Sequence, residues 1–157
     1  MIKAVLACDQ DWGIGKLGNM PWPHNSADLQ WFKKMTLGQT VVMGRNTWES
    51  LPVKPLPGRK NIVVSNTMQA HDGVEVVARD IYRSRLNVLD TNDTVCVIGG
   101  AQLITHCLDM IDELWLSRIE GVYDCDAVLP GDEILETFAL DSVGPETDVY
   151  IEKWVRK

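Results

Sequence analysis

The sequence predicts one α/β domain, in which a mostly parallel central β-sheet has an antiparallel C-terminal edge and helices on both faces. Strand-like runs rich in Val and Ile recur along the chain, and helical patterns separate several of them. Strands that alternate with helices are typical of βαβ crossovers, which place neighbouring strands in parallel. The last two runs alternate apolar and polar residues with no convincing helix between them, which favours an antiparallel edge.

Seven segments follow the strand pattern, with Gly, Pro or Asn near their borders: residues 2–7, 40–43, 61–65, 74–78, 94–98, 113–120 and 149–155. Helices are predicted for residues 26–37, 47–51, 80–89 and 101–108. The first helix begins at Ser26, a residue type that favours the N-cap, and Gly38 follows it as a C-cap. The chain has 157 residues and no repeat, low-complexity stretch or linker, so we expect one domain over residues 1–157.

The composition excludes several classes of protein. Hydrophobic residues make up 45% and charged residues 24% of the chain, as in globular proteins. No apolar run approaches the ~20 residues of a membrane-spanning helix, and the N-terminus lacks the apolar region of a signal peptide. The four cysteines form no CxxC pair, and the three histidines have no ligand spacing. We therefore expect a reduced, cytoplasmic protein without a bound metal.

The net charge of −7 is unevenly distributed. Residues 1–108 contain 11 basic and 9 acidic residues, whereas residues 109–157 contain 4 and 13. An acidic chain repels nucleic acids and anionic membranes, so neither is expected as a partner. Between Lys33 and Lys60 six bases accompany a single acid, Glu49. Such a cluster can attract an anionic small ligand, although it is usually a solvated face.

A G-x-G-x-x-G motif starts at Gly13, directly after the first predicted strand. In dinucleotide-binding folds this motif opens a helix, whose N-terminus holds the pyrophosphate. Here Pro21 and Pro23 follow, and they disfavour the start of a helix. The sequence therefore argues against a Rossmann site and predicts a mobile loop that serves as an active-site lid. Three apolar side chains of this loop are expected to lie over a flat ring: Trp12, Met20 and Trp22.

Asp28, in the first turn of the helix predicted at 26–37, is the candidate acid. An acid at this position can simply complement the helix dipole. Its neighbours are mostly apolar, however, and a carboxyl group in an apolar pocket has a raised pKa. Such a group can hold a nitrogen heterocycle through two parallel hydrogen bonds or relay a proton to it. The residues alone leave both interpretations open. The apolar neighbours are Leu29, Trp31, Phe32 and Met35.

Three predicted strand ends indicate a site for an extended, multiply charged ligand such as a dinucleotide. The strand at 94–98 ends at Gly99 and Gly100, which allow a ring or phosphate to approach closely but are also typical of a tight turn. A helix starting at Ala101 would offer free N–H groups to an anion. Ligands in an open α/β sheet lie across the carboxyl ends of the strands. The donors at the other two strand ends are Arg45, Asn46, Thr47, Ser65, Asn66 and Thr67.

The segment Pro55-Leu56-Pro57-Gly58-Arg59 combines two prolines and a glycine just before a strand. The simplest interpretation is a rigid turn. The same rigidity would hold Arg59 in one place, where it could make a bidentate contact with a carboxylate.

Together these segments resemble dihydrofolate reductases nearly from end to end. Each motif is weak alone, but their order and spacing are highly specific. The motifs are Gly-Ile-Gly at 13–15, Met-Pro-Trp at 20–22, Ala-Asp-Leu at 27–29 with Trp-Phe-Lys at 31–33, Val-Met-Gly-Arg at 42–45 with Thr-Trp-Glu-Ser at 47–50, Pro-Leu-Pro-Gly-Arg at 55–59 and Val-Ile-Gly-Gly at 97–100.

The resemblance implies the NADPH-dependent reduction of 7,8-dihydrofolate to 5,6,7,8-tetrahydrofolate, which supplies one-carbon and thymidylate metabolism. Asp28 matches the family's active-site acid, which holds the amino-pyrimidine edge of the pterin and promotes protonation at N5. Hydride passes in the family from C4 of the nicotinamide to C6 of the pterin. Arg59 matches the arginine that binds the α-carboxylate of the glutamate tail, and Arg45 lies where the family contacts the 2′-phosphate of NADPH.

The resemblance also assigns sets of residues. Residues 9–24 match the lid loop, with Asp126 as a candidate partner, and the Gly99–Gly100 peptide matches a cis bond. The catalytic positions are Asp28, Trp22 and Met20. The substrate-binding positions are Val5, Leu6, Ala7, Asp28, Leu29, Phe32, Arg59 and Ser117. The cofactor-binding positions are Ala7, Ile14, Gly15, Asn19, Gly44, Arg45, Asn46, Thr47, Ser65, Asn66, Ile98, Gly99, Gly100, Ala101, Gln102 and Leu103. The implied ligands are NADPH, dihydrofolate and antifolate-type small molecules, bound by a monomer.

The sequence departs from the family pattern at several positions. Ile104 stands where many members have a Tyr beside the nicotinamide, and Asn66 where a Ser often helps to bind the cofactor phosphate. Ser117 takes the place of a Thr that hydrogen-bonds the catalytic acid. One additional residue lies within 23–27 and another before Pro55. These differences bear on rates and cofactor affinity rather than on the reaction.

The residues leave other functions open. A reductase of the same fold acting on a riboflavin-pathway intermediate would bind no glutamate tail, so Arg59 would have no role. A non-catalytic binding protein is disfavoured by the joint presence of Asp28, Arg59 and the Gly99–Gly100 pair. A structural module that binds partners through the basic stretch would keep its binding without Arg45 or Arg59.

Overall fold

The computed structural model describes residues 1–18, 20–23, 26–70, 72–91, 93–146 and 149–157. In chain order the strands of this part are β1 (Ile2–Cys8), β2 (Gly13–Gly15), β3 (Thr40–Gly44), β4 (Lys60–Val64), β5 (Val74–Val77), β6 (Val95–Gly99), β7 (Glu113–Arg118), β8 (Ala127–Val128), β9 (Phe138–Glu146) and β10 (Val149–Arg156). The helices are α1 (Ser26–Thr36), α2 (Arg45–Ser50), α3 (Tyr82–Asp90), α4 (Ala101–Cys107) and α5 (Gly131–Thr137), with a 3₁₀ turn at Leu108–Met110.

Eight of these strands form one sheet in the order β5-β4-β3-β6-β1-β7-β10-β9. All neighbours from β5 to β7 are parallel, whereas β10 is antiparallel to both β7 and β9. The short strands β2 and β8 form a separate antiparallel ladder. The predicted α/β class, with a mostly parallel sheet and antiparallel C-terminal strands, is confirmed.

The parallel strands are covered on both faces, which explains why they are nearly continuous apolar runs. Successive side chains of a strand point to opposite faces. On β1, Ala4 and Leu6 pack in the cluster that contains buried residues of α3, α4 and α5, whereas Val5 packs in the cluster that contains Trp31 and Trp48 of α1 and α2. Helices therefore lie on both faces of the sheet, as predicted.

The sequence-based prediction missed β9 and α5. β9 contains Gly144 and Pro145, two residue types that argue against a strand. The proline is tolerated because β9 is the outermost strand, where one side of the ladder needs no donor. α5 has seven residues, of which only Ile134 is fully buried, so it shows no helical period. The antiparallel edge is thus three strands wide rather than two.

The four predicted helices are all present, with α2 starting at Arg45 rather than Thr47. No helix in the described ranges is both long enough and apolar enough to cross a bilayer.

Candidate active site

Asp28 lies in the first turn of α1, and its side chain is only 7% exposed. Burial raises the pKa of its carboxyl group above the ordinary value, and the neighbouring hydroxyl of Ser117 opposes part of this increase. Ser117 is 1% exposed and stands on β7, directly opposite Ala7 of β1. The interpretation of Asp28 as a solvated acid at a helix start is therefore disfavoured.

The surroundings of Asp28 are apolar, as predicted. Trp31 is buried, and Phe32 and Met35 are half-buried in the same cluster as Val5 of β1. Leu29 remains exposed on the surface of α1. The low polarity of this setting favours the protonated carboxyl group over the carboxylate.

The side chains of Leu6, Leu103 and Ile104 lie on the face of the sheet opposite α1. Leu6 and Leu103 belong to the cluster that packs under α3 and α4, so only their backbones can reach a ligand bound on the α1 side. Ile104 is fully buried in that cluster and fills core space. Of the three β1 positions assigned to substrate, Val5 packs on the α1 face, and Ala7, two residues later, points to the same face.

The segment that carries Arg59 forms a hydrogen-bonded loop. The guanidinium donates from Nε to the carbonyl oxygen of Pro57 and from Nη1 to the hydroxyl of Thr36, each at 3.0 Å. Gly58 has a φ of 73°, a conformation that favours glycine. Arg59 is half-buried, and this burial lowers its pKa from the ordinary value. The predicted rigid turn therefore holds Arg59 against the end of α1.

The predicted lid loop carries Met20 and Trp22, but only Trp22 is buried. Met20 is 55% exposed, whereas the Trp22 ring packs edge-on against Tyr123 with centroids 5.9 Å apart. The predicted residue Asn19 lies outside the described residues, as do His24 and Asn25.

The expectation that Trp12 lies over a bound ring is wrong. Its ring lies 5.7 Å from that of Trp154, and the guanidinium carbon of Arg118 lies 4.3 Å from the Trp12 ring centroid. The backbone of Trp12 has a φ of 65°, and its carbonyl accepts a hydrogen bond from the N–H of Leu129 at 2.9 Å. Trp12 thus anchors the base of the loop to the sheet.

The rest of the loop base is joined to residues 119–128. Gly13 and Gly15 form the strand β2, which pairs with β8 and places Ile14 between them. Asp126 accepts from the N–H of Leu17 at 3.0 Å and donates its own N–H to Gly15 at 3.0 Å, as expected of the lid partner. In a Rossmann site a helix would begin at the last glycine of the motif, Gly18. In the described residues the next helix is α1, which begins only at Ser26, so the argument against a Rossmann site is confirmed.

The carboxyl ends of β3 and β6 meet with little space between their backbones. A Cβ atom on Gly44 would lie 3.8 Å from the amide nitrogen of Gly100, and one on Gly99 would lie 3.3 Å from Oγ1 of Thr47. The Gly99–Gly100 peptide is cis, as the resemblance implied, and Gly99 has a φ of 130°. α4 starts directly afterwards with Ala101 and Gln102, and Ile98 is buried just before.

Three of the predicted phosphate donors, Arg45, Ser65 and Thr67, are hydrogen-bonded to one another at the ends of β3 and β4. Arg45 donates to Glu49 at 2.9 Å and to the hydroxyl of Thr67 at 2.8 Å. Ser65 accepts from the N–H of Thr67 at 3.2 Å. The same strand ends bring in Asn46 and Asn66, both exposed.

Arg79 is a further cation at this edge that the sequence reasoning missed. Its backbone N–H donates to the side chain of Asn66 at 2.8 Å, two residues after the end of β5. The strand-end rule that singled out Arg45 would also have found it, because residues 74–78 were predicted as a strand. Among the described residues, no group of three His, Cys, Asp or Glu side chains is placed to hold a metal ion.

The family model described as dihydrofolate reductase matches residues 1–145 of the chain. The chain belongs to the dihydrofolate reductase family. The dihydrofolate reductase of Haemophilus influenzae is 41% identical over 117 residues, which cover 74% of this chain and 71% of that protein. The dihydrofolate reductase of Neisseria gonorrhoeae is 38% identical over 130 residues, covering 82% of this chain and 78% of that protein.

A solved dihydrofolate reductase has the same fold. The structure from Enterococcus faecalis, complexed with NADP(H) and RAB-propyl, superimposes with a TM-score of 0.85 at 26% identity. The alignment covers 100% of this chain and 96% of that one. The alignment thus extends over β9 and α5, two of the elements that sequence reasoning missed in this member of the dihydrofolate reductase family.

Proposed function

We propose that Asp28 and Arg59 bind the two ends of one folate molecule, which this protein reduces with NADPH. The reaction, reduction of 7,8-dihydrofolate to 5,6,7,8-tetrahydrofolate, is that of the family to which the chain belongs, and its product serves one-carbon metabolism. What remains to be tested is the role of each residue.

The observation that carries the proposal is that α1 anchors both groups. Asp28 lies in the first turn of α1, and Thr36, the last residue of the helix, holds the guanidinium of Arg59. The eight helical steps between them correspond to a rise of about 12 Å. A ligand that contacts both groups must therefore be elongated, with a heterocycle at one end and an anion at the other. A pterin joined to a glutamate tail has this form.

Asp28 has the properties needed to hold and protonate the pterin. Its carboxyl oxygens can make two parallel hydrogen bonds to an amino-pyrimidine edge. Because burial raises its pKa, the carboxyl group keeps its proton to a higher pH than an exposed aspartate does, which suits proton delivery toward N5. Trp31 and Phe32, its neighbours on α1, exclude water from this region and so strengthen each of these hydrogen bonds.

The strand ends of β3, β4 and β6 fit a dinucleotide phosphate. Gly44, Gly99 and Gly100 bring backbone to the edge without side chains, and Arg45 stands beside them with the hydroxyls of Thr47 and Thr67. NADPH, when bound, supplies the hydride from C4 of its nicotinamide to C6 of the pterin. The chain's own part is to orient the two rings and to distinguish the 2′-phosphate through Arg45.

The test is the loss of NADPH absorbance on addition of the protein to dihydrofolate. Asp28→Asn is expected to abolish most turnover at neutral pH while NADPH still binds, because the proton-holding group is removed and the cofactor edge is untouched. Unchanged activity would remove Asp28 from its role. Turnover of only a ribityl-pyrimidine substrate would favour the riboflavin-pathway alternative instead.

The proposal also covers the ligands, the oligomeric state and the cellular setting of the protein. The small molecules bound are dihydrofolate and antifolate-type compounds, and residues 1–157 act as one monomeric domain that binds neither nucleic acid nor membranes. A reducing, cytoplasmic setting is supported by the four cysteines, all of them free thiols. Three of them, Cys8, Cys96 and Cys107, are buried, and burial raises the pKa of each thiol.

A further inference from the structure

We propose that Thr36 and Asn61 are positioning residues that hold the Arg59 guanidinium in one orientation and leave it a single edge for a carboxylate. The inference rests on the proposed function in one respect, since it takes Arg59 as the group that binds the glutamate α-carboxylate.

The hydroxyl of Thr36 has its hydrogen-bonding direction determined by the helix. Thr36 is 0% exposed, and its Oγ1 donates to the carbonyl oxygen of Phe32 at 2.9 Å. A hydroxyl has one proton, so Oγ1 must act as the acceptor toward Nη1 of Arg59, 3.0 Å away. Thr36 therefore presents a lone pair, never a competing donor, to the guanidinium.

Asn61 holds the backbone on which Arg59 stands. Its side chain is buried, and Oδ1 accepts from the N–H of Leu56 at 2.9 Å. Its Nδ2 donates to the carbonyl oxygens of Leu56 and Arg59, each at 3.0 Å. Asn61 itself is held in the sheet, paired with Val41 on one side and Val74 on the other. The loop from 56 to 59 is thus attached to the interior of the sheet by one amide.

These contacts decide which edge of Arg59 is open. A guanidinium can bind a carboxylate in a bidentate manner through Nε and Nη2 or through Nη1 and Nη2. Nε is occupied by the carbonyl oxygen of Pro57 at 3.0 Å, which removes the first edge. Nη1 has two N–H groups and uses one of them on Thr36, so we infer that its other N–H and one N–H of Nη2 form the remaining pair. The carboxylate is therefore bound end-on.

The experiment compares two substrates in matched variants. Dihydrofolate carries the glutamate carboxylate, whereas 6-methyl-7,8-dihydropterin has the same reducible ring and no carboxylate. The readout is kcat/KM for dihydrofolate divided by kcat/KM for the dihydropterin, with kcat and KM measured separately for each substrate. Thr36→Val removes the hydroxyl with little change of shape, Thr36→Ser keeps it, and Asn61→Ala releases the loop.

Thr36→Val is expected to lower the ratio about tenfold through a higher KM for dihydrofolate, the size of one hydrogen bond to a charged group. Asn61→Ala should lower it at least as much, and Thr36→Ser should keep the ratio of the unmodified protein. In each case kcat/KM for the dihydropterin should stay nearly constant, which a general loss of folding would not allow.

Arg59→Ala separates failure of this inference from failure of the proposed function. If Arg59→Ala lowers the ratio but Thr36→Val and Asn61→Ala do not, the positioning role is overturned while the carboxylate site stands. If Arg59→Ala leaves the ratio unchanged, the carboxylate site itself is absent and both ideas fall. An equal loss for both substrates in Thr36→Val would also overturn the inference.

Discussion

The carboxylate of Asp9 accepts a hydrogen bond from the backbone N–H of Tyr123 at 3.0 Å, although the two residues are 114 positions apart. The same carboxylate accepts from the N–H groups of Asp11 at 2.9 Å and Gly13 at 2.8 Å, and the thiol of Cys125 lies 3.6 Å away. Asp9 therefore ties the base of the lid loop to the segment that follows β7. Burial opposes its ionisation, but the N–H donors of Gly13, Tyr123 and Asp11 hold the pKa of Asp9 below the ordinary value.

Asp9→Asn is expected to destabilise the fold at neutral pH by ~1–3 kcal/mol, because an amide can no longer accept all of these hydrogen bonds as a carboxylate does. The folded-state pKa of Asp9 is lowered, so its contribution is present above the unfolded pKa and is lost as the pH falls through the folded pKa. Urea denaturation at several pH values should show the two proteins converging in acid. A constant difference down to the lowest pH would contradict this.

Asp28→Asn should have the opposite effect on stability. The pKa of Asp28 is raised in the folded state, so its stabilising contribution is complete below the unfolded pKa and is lost as the pH rises through the folded pKa. At neutral pH the variant should therefore melt at a higher temperature than the unmodified protein, and the gain should vanish in acid. A lower Tm for the variant at neutral pH would show that the carboxylate is not penalised by burial.

Ser117→Ala is expected to raise the pKa of Asp28 further, since it removes the neighbouring hydroxyl that lowers this pKa. The apparent pKa in the pH profile of kcat/KM should then move upward, while Ser117→Thr, which keeps a hydroxyl, should leave it near its original value. A profile of Ser117→Ala that coincides with that of the unmodified protein would mean that the hydroxyl does not act on Asp28.

Arg45→Ala should weaken NADPH binding by ~1.5–3 kcal/mol, the range for a lost set of charged hydrogen bonds. NADH lacks the 2′-phosphate, so its binding should change little. Titration of both cofactors, followed by the quenching of protein fluorescence, measures the difference. Equal weakening of NADPH and NADH would assign Arg45 a structural role through its contacts with Glu49 and Thr67 instead.

Gly131→Ala is expected to destabilise the protein by ~1–3 kcal/mol, because the added Cβ overpacks a filled site. It would lie 2.6 Å from Cδ1 and Nε1 of Trp12, whose ring is already held by Trp154 and Arg118. Gly144→Ala is the matched control, since a Cβ there would meet nothing within 4 Å. Equal Tm values for the two variants would show that the Trp12 site is loosely packed.

The sequence was most informative where a glycine or a charged residue stands next to a recognisable strand or helix. Gly99, Gly100 and Arg45 lie at or directly after the ends of strands, so the rule that ligands lie at strand ends singled them out. Asp28 was recognisable because its apolar neighbours recur along a helix. In each case the signal lies within a few residues of the position itself.

The parts that escaped prediction depend on contacts between distant segments. Asp9 and Asn61 bind backbone groups of other segments, and Thr36 binds the side chain of Arg59, 23 positions away. Nothing in their local sequence indicates these partners. Trp12 was placed over a ligand because its neighbours form a loop. Trp12 instead has a left-handed backbone, and its side chain packs on Trp154, a residue 142 positions later in the chain.

The central place of β1 also has a consequence for synthesis. Ile2 pairs with Val95 and Lys3 with Glu113, so β1 has no neighbour in the sheet until β6 has been synthesised. Such distant pairing slows folding, because a long loop must close before any contact is gained. A nascent chain that stops before β6 would expose both edges of the apolar strand β1, and a chaperone that binds extended apolar segments would find its target there.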